Sequence, residues 1–276
     1  MKWKLAAIDL DSTTFDNQSR ISPENIRAIE KAIERGVHVA VCTGRALGEL
    51  PDEIRKLKGL RYGILSNGAS VVDLLENKRL YANEMPYDKA IEIVKISEEF
   101  DCFCEIYYRG QPYTNRSVIG RFAHYHIEEK YFDVLEHSRA VVGNVRTFYE
   151  KEHNPAEKLN LFFADLGERR RFVDRLSVFS DTIEVTSSMK SNIEINAAGA
   201  NKGSGLVHLC GTLGIPVGET LALGDSDNDM TMLSVSGLPI AVANAVDALK
   251  RIAAEITVSN CESAVAAVFE KHLLNE

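Results

Sequence analysis

Apolar residues fall along this chain in short continuous runs separated by amphipathic stretches. Trp3 to Leu10 is nearly all apolar, the pattern of a strand buried on both faces. Ser22-Pro23 opens a helix, with Ser22 as N-cap and Pro23 in the first helical position. Ile26, Ile29 and Ile33 form its apolar stripe, and Gly36 ends it. Val37 to Cys42 is a second buried strand, a helix is predicted through Leu47 to Lys58, and Tyr62 to Leu65 is a third strand. This alternation argues for a parallel sheet with helices on both faces.

The order changes near Glu84. Pro86 to Phe100 predicts a long helix. Beyond it, strand-like stretches (Cys102–Tyr108, Lys158–Phe163, Thr182–Thr186) mix with helical ones (Val118–Lys130, Gly167–Phe179) in less regular order. After about residue 190 the alternation returns: strand at Thr220–Leu223, helix at Asp227–Leu233, strand at Pro239–Val242, closing helix at Glu262–His272. The expected organisation is a discontinuous α/β core over 1–83 and 189–276 with an α+β insert over 84–188. Eight aromatics of the insert (Phe100, Phe103, Tyr107, Phe148, Phe162, Phe163, Phe172, Phe179) are expected to form its own core.

Composition narrows the function. The 276 residues are 45% apolar and 26% charged, which excludes a disordered or collagen-like chain. Lys plus Arg is 32 against 40 Asp plus Glu, a formal charge of −8. An acidic chain lacks the broad positive field that nucleic acid or an anionic membrane needs, so neither is an expected partner. No apolar run is long enough to span a membrane, and the N-terminal run meets Asp9 too early for a secretory signal. Five scattered cysteines suit reduced thiols and a cytoplasmic protein. Cys102-x-Cys104 has no second pair to complete a metal site and follows strand alternation. His124 and His126, on the predicted helix, would face different ways and are expected on the surface.

In an open parallel sheet, ligands bind at the carboxyl ends of the strands. Four such places carry chemistry: Asp9-Leu10-Asp11-Ser12-Thr13, Thr43-Gly44-Arg45, Asn201-Lys202-Gly203 at a helix start, and Gly224-Asp225-Ser226-Asp227-Asn228-Asp229. The fold would gather Asp9, Asp11, Asp225 and Asp229 within a few ångströms. Four carboxylates cannot all stay ionised unpaired in a small cleft. A hard divalent cation, Mg²⁺ for an all-oxygen site, resolves the repulsion. The Thr43 hydroxyl and the Lys202 charge then suit a phosphate dianion beside the metal. Alone, Asp-x-Asp and Thr-Gly-Arg are common turns or caps and Lys202 a surface lysine, whereas Gly-Asp-x-x-Asn-Asp after an apolar strand is sharper, because two acids and an Asn on one tight turn are costly without a ligand; all four in this order point to phosphoryl chemistry. A P-loop is absent, because Lys202 precedes Gly203, and no Gly-x-Gly-x-x-Gly follows the first strand.

These motifs, with Ser66-Asn67-Gly68-Ala69, resemble those of the haloacid-dehalogenase-like superfamily over nearly the whole chain, and within it the Cof-type sugar-phosphate phosphatases with a type IIB cap. The resemblance implies a Rossmann-like parallel-sheet core with an inserted α+β cap that covers the active site. It implies Asp9 as nucleophile, forming an aspartyl-phosphate, and Asp11 as general acid, then base. It implies Thr43, Gly44, Arg45, Asn67, Lys202 and Asn228 as substrate-binding residues, with Thr43 and Lys202 also catalytic: Thr43 hydrogen-bonds a phosphoryl oxygen, and Lys202 neutralises the nucleophile and the transferring group. Mg²⁺ would be held by Asp9, the Asp11 carbonyl and Asp225, with Asp229 acting through water. The family usually has Gly after the second Asp and an apolar residue two places further; here Ser12 and Thr14 stand there.

The expected substrate is a small phosphorylated metabolite, a sugar phosphate or a phosphorylated cofactor, and the expected state a monomer or weak homodimer. The competing readings are a phosphomutase-type phosphoryl transferase and a non-catalytic phospho-aspartate sensor. In the insert, Arg109, Tyr113, Arg116, Ser187, Ser188 and Asn192 are candidates to touch substrate, though taken singly each reads better as an ordinary solvated surface residue.

Overall fold

Leu5–Asp9 (β1) is completely apolar up to its last residue and every residue of it is buried. This is the strand the computed structural model places at the centre of a large sheet; residues 2–275 are described. Pro23–Glu34 (α1) follows, with the Ser22 side chain accepting from Asn25 N–H as its N-cap. His38–Cys42 (β2), the short helix Asp52–Arg55 (α2) and Tyr62–Leu65 (β3) come next, then a hairpin of Ser70–Asp73 (β4) and Lys78–Ala82 (β5).

The middle of the chain forms Tyr87–Ser97 (α3), Cys102–Tyr108 (β6), Gln111–Asn115 (β7), Phe132–Ser138 (α4) and Ala140–Val142 (β8). It continues through Val145–Glu152 (α5), Lys158–Phe163 (β9), Leu166–Leu176 (α6), Ile183–Thr186 (β10) and Asn192–Ala197 (β11). Then come Lys202–Leu213 (α7), Thr220–Gly224 (β12), Met230–Val235 (α8), Leu238–Ala241 (β13), Asp247–Ile252 (α9), Glu255–Ile256 (β14) and Ala264–Phe269 (α10).

Two compact units result, one of residues 1–44, 50–82 and 201–276, the other of 45–49 and 83–200. The first holds an eight-stranded sheet in the order β14-β13-β12-β1-β2-β3-β4-β5. Its strands run parallel from β14 to β3, while β4 and β5 pair antiparallel. The strand order reverses beside β1, which leads to β2 on one side while β12 lies on the other. That is where an open parallel sheet leaves a crevice beyond its carboxyl ends.

The second unit is built on a six-stranded sheet, β10-β11-β9-β6-β7-β8. One face is apolar: Cys104, Ile106, Leu159, Leu161, Phe163, Ile193 and Ile195 are buried, and Phe163 and Phe172 of α6 lie 5.3 Å apart. On the other face Phe103 and Phe162 stack at 4.8 Å and pack with Val118, Phe122, Tyr125 and Leu135. Beside them this face turns polar, with Glu105, Tyr107, Lys158, Asn160, Asn192 and Glu194 buried in register. Arg139 joins Glu105 at 2.8 Å and Glu49 at 2.6 Å, and Asn192 Nδ2 donates to Asn160 Oδ1 at 3.1 Å.

Several expected elements differ. The predicted 47–58 helix is only a turn at Leu47–Glu49 and α2, because Pro51 lacks an N–H and disfavours helical geometry at Leu50. The predicted Val118–Lys130 helix is broken by left-handed residues, Gly120 at φ 77° and His126 at φ 56°, into short 3₁₀ turns. His124 and His126 are exposed; their Nε2 atoms lie 2.9 Å from Asp101 Oδ2 and 2.8 Å from Ala164 O. The closing helix starts at Ala264, since Ser263 is left-handed at φ 59°. The return to the first unit falls at Asn201 instead of residue 189, because β11 pairs with both β9 and β10 in the second sheet. No helix among the described residues is long and apolar enough to cross a membrane.

Candidate active site

The loops named by the motifs meet at the carboxyl end of β1. Asp9 is its last residue, and beyond it the chain makes a wide turn closed by Phe15 N–H donating to Leu10 O at 2.9 Å. Asp11 is extended, at φ −72° and ψ 124°, whereas Ser12 is left-handed, at φ 62° and ψ 10°. The Thr14 hydroxyl donates back to Asp9 O at 2.5 Å, tying the turn to the strand.

Lys202 opens α7, whose N-cap Asn201 exchanges hydrogen bonds with Ser204. The cap fixes the first turn, and Lys202 reaches inward with 1% of its surface exposed. Its ammonium donates to Asp9 Oδ1 at 2.7 Å and to Asp229 Oδ1 at 2.7 Å. Asp229 also ties down the fourth loop. Its Oδ2 accepts the N–H groups of Asp225 at 2.9 Å and Ser226 at 3.1 Å. The approach is so close that a Cβ on Gly224 would lie 2.5 Å from Asp229 Cγ. Thr13, the last residue of the first motif, for which no role was expected, donates its hydroxyl to Asp225 Oδ1 at 2.9 Å. It lies two residues beyond Asp11, and its position after the Asp-x-Asp pair was the available signal.

The third and second loops join beside them. Asn67 N–H donates to Thr43 O at 3.0 Å, and Thr43 N–H to Ile64 O at 2.9 Å. Asn67 is left-handed, at φ 58°, and its Oδ1 accepts from Asn228 Nδ2 at 3.3 Å. Asp9, Lys202, Asp225 and Asp229 are thus brought into one cluster, and Thr43, Asn67 and Asn228 into linked loops of the same unit. Gly44 ends the first stretch of that unit, and Arg45 belongs to the second, its Nη1 lying 3.5 Å from Glu49 O.

Charge in the cluster is unbalanced. Burial pushes the Asp9 carboxyl well up, Lys202 opposes it, and Asp229 and Asp225 push it further up. Burial and the Asp229 charge raise Asp225 to about 7. Burial alone would lower Lys202, but Asp229 and Asp9 hold its ammonium above the usual range. One ammonium therefore faces three carboxylates. One oxygen from each of Asp9, Asp225 and Asp229 lies within 4.8 Å of the others, and Asp9 Oδ2 is buried with no hydrogen-bond partner. A hard divalent cation fits that oxygen set and supplies the missing charge.

In the second unit, Asn192 closes the turn before β11. Its Oδ1 accepts from Ser188 N–H at 3.1 Å and Met189 N–H at 2.9 Å, while Ser188 Oγ donates to Glu194 at 2.9 Å. Tyr113 stacks on Tyr108 at 4.8 Å and on Phe148 at 4.7 Å. Arg109 is left-handed, at φ 52°, and Arg116 begins a 3₁₀ turn.

The model of haloacid dehalogenase-like hydrolases matches residues 6–269. Phosphatase YwpJ of Bacillus subtilis is 30% identical over 98% of this chain and 100% of its own length. The 5-amino-6-(5-phospho-D-ribitylamino)uracil phosphatase YwtE of the same organism is 29% identical over 95% of this chain and 96% of its own. A solved haloacid dehalogenase-like hydrolase from B. subtilis superposes with a TM-score of 0.86 at 27% identity, covering 98% of this chain and 100% of that one. This chain belongs to the haloacid dehalogenase-like hydrolases and is a phosphatase of their Cof type.

Proposed function

We propose that the chain hydrolyses small phosphate monoesters, sugar phosphates or phosphorylated cofactors, through an aspartyl-phosphate on Asp9. The observation that carries this reading is the asymmetry of Asp9: Oδ1 is held by Lys202 at 2.7 Å, while the buried Oδ2 has no hydrogen-bond partner. An oxygen so placed keeps its lone pairs for an incoming phosphorus atom or a cation, and the other oxygen fixes its aim.

In the first step an Asp9 oxygen bonds to phosphorus as the bond to the leaving alcohol oxygen breaks. Asp11 gives that oxygen its proton. In the second, water attacks the same phosphorus, Asp11 takes the proton, and the Asp9–phosphorus bond breaks to release phosphate. Lys202 stabilises negative charge on Asp9 and on the transferring group. Thr43 binds a phosphoryl oxygen together with Gly44 and Arg45, and Asn67 and Asn228 line the substrate. Mg²⁺, held by Asp9, the Asp11 carbonyl and Asp225, with Asp229 through water, would stabilise charge on the equatorial phosphoryl oxygens. The name of YwtE, a phosphatase of a phosphorylated ribityl compound, supports a sugar-like leaving group. We also read the protein as a cytoplasmic monomer or weak homodimer, with five free thiols in keeping with a reducing compartment.

The test is Asp9→Asn, assayed on a panel of phosphorylated metabolites with and without Mg²⁺. Turnover should vanish while the circular dichroism spectrum persists. Turnover retained by this variant would refute the reading.

A further inference from the structure

We propose that Asn244 is a positioning residue of the reacting loop, holding the left-handed Ser12 turn and so fixing where Asp11 points. The inference rests on the reading of Asp9 and Asp11 as the reacting pair.

Three carbonyls of the turn after β1 are held by asparagine amides from three other parts of the chain. Asn244 Nδ2 donates to Ser12 O at 2.8 Å, Asn25 Nδ2 to Thr14 O at 3.1 Å, and Asn260 Nδ2 to Phe15 O at 2.9 Å. Two of these amides are anchored from behind by backbone donors. Asn25 Oδ1 accepts from Ala266 N–H at 2.9 Å, and Asn244 Oδ1 from Asn260 N–H at 2.9 Å. Those backbone donors also settle which amide atom faces the turn. Bridging an N–H and a carbonyl needs one acceptor and one donor, which an amide has and a carboxylate lacks.

The three differ in surroundings. Asn25 and Asn260 are buried, and truncating them would leave buried polar groups unpaired. Asn244 is exposed, so its side chain adds little to core packing. What it touches is the most strained point of the turn. A left-handed conformation is unfavourable for an L-residue with a Cβ, and Ser12 adopts it at φ 62°. Without the Asn244 amide on its carbonyl, Ser12 can relax to other wells. A change at Ser12 φ rotates the peptide that joins it to Asp11. Misplacing a reacting group by about 1 Å can cost on the order of 100-fold in rate. Glycine occupies the left-handed region without that strain, so a glycine at position 12 should need Asn244 less.

The experiment is a double-mutant cycle of Asn244→Ala and Ser12→Gly, reading kcat and KM on p-nitrophenyl phosphate together with thermal unfolding. Asn244→Ala should lower kcat on the order of tenfold, leave KM within about twofold, and barely move Tm. In the Ser12→Gly background the same change should cost about threefold or less. An unchanged kcat, a change in KM alone, or an equal loss in both backgrounds would overturn the assignment. If Asn244→Ala does not fold, Asn244→Asp, which keeps the shape and removes the donor, takes its place in the cycle. Asp9→Asn run alongside separates the two failures. An active Asp9→Asn removes the reading of the reacting pair, whereas an inactive one beside an undisturbed Asn244→Ala removes only the role of Asn244.

Discussion

Lys202 Nζ lies 2.7 Å from Asp9 Oδ1, and both side chains are buried. The same ammonium bonds Asp229, so one side chain neutralises carboxylates from two loops. Removing it leaves buried negative charges unopposed, which typically costs about 3–5 kcal/mol. Lys202→Met should therefore abolish turnover and destabilise the chelator-treated protein by that order at pH 8. Urea denaturation measures the loss; an unaltered midpoint would show that the pair is not structural.

Acidity should act on the metal-free protein in an unusual direction. An Asp is ordinarily ionised by about pH 5, with an unfolded value near 3.9. In the folded chain burial and Asp229 raise Asp225 to about 7, and Asp9 moves the same way. The native state thus binds more protons than the unfolded one between these values, and stability falls as pH rises through that window. With chelator present, Tm should drop between pH 5 and pH 7 and level off above it. Asp225→Asn should flatten that slope.

The left-handed Ser12 predicts a stabilising substitution. Relief of the Cβ clash is worth about 1–2 kcal/mol, and the added freedom of glycine in the unfolded chain offsets about half to one of these. Ser12→Gly should raise stability by up to about 1.5 kcal/mol, read as a higher Tm. A lower Tm would mean that the serine hydroxyl contributes more than the strain removes.

In the second unit, Arg139 bridges Glu105 and Glu49, all three side chains being buried. Burial would depress the guanidinium, but the two carboxylates raise it well above its ordinary range, so it stays charged. Arg139→Ala should destabilise the protein by about 3–5 kcal/mol. The double substitution Glu49→Gln, Glu105→Gln on top of it should recover part of that loss in chemical denaturation.

The parts most legible from the sequence were those with a single local cause. β1, β2, β3 and β12 announced themselves by apolar runs, α1 by Ser22 and Pro23, and β6 and β9 were predicted with the bounds they have. The acids and Lys202 stood out because each follows a strand or opens a helix. β11 did not, since Asn192, Glu194 and Asn196 alternate with apolar residues on a polar face that is nonetheless buried. The β4–β5 hairpin lies at the antiparallel edge of a sheet otherwise read as parallel. The 116–131 region has helical composition, but two left-handed residues override it. Thr13 stood in the first motif with no role to read, and Asn244 stood in none, because their partners lie 212 and 232 residues away.

That long reach has a bearing on biosynthesis. Asp9 emerges from the ribosome 193 residues ahead of the lysine it needs, and Asn244 later still. The intervening stretch 83–200 is almost an uninterrupted unit with its own sheet, able to collapse while the rest is still being translated. Assembly of the acidic cluster should then wait until α7 and the loop after β12 have been made, and nascent chains stalled before α7 should carry an ordered insert but no assembled cluster.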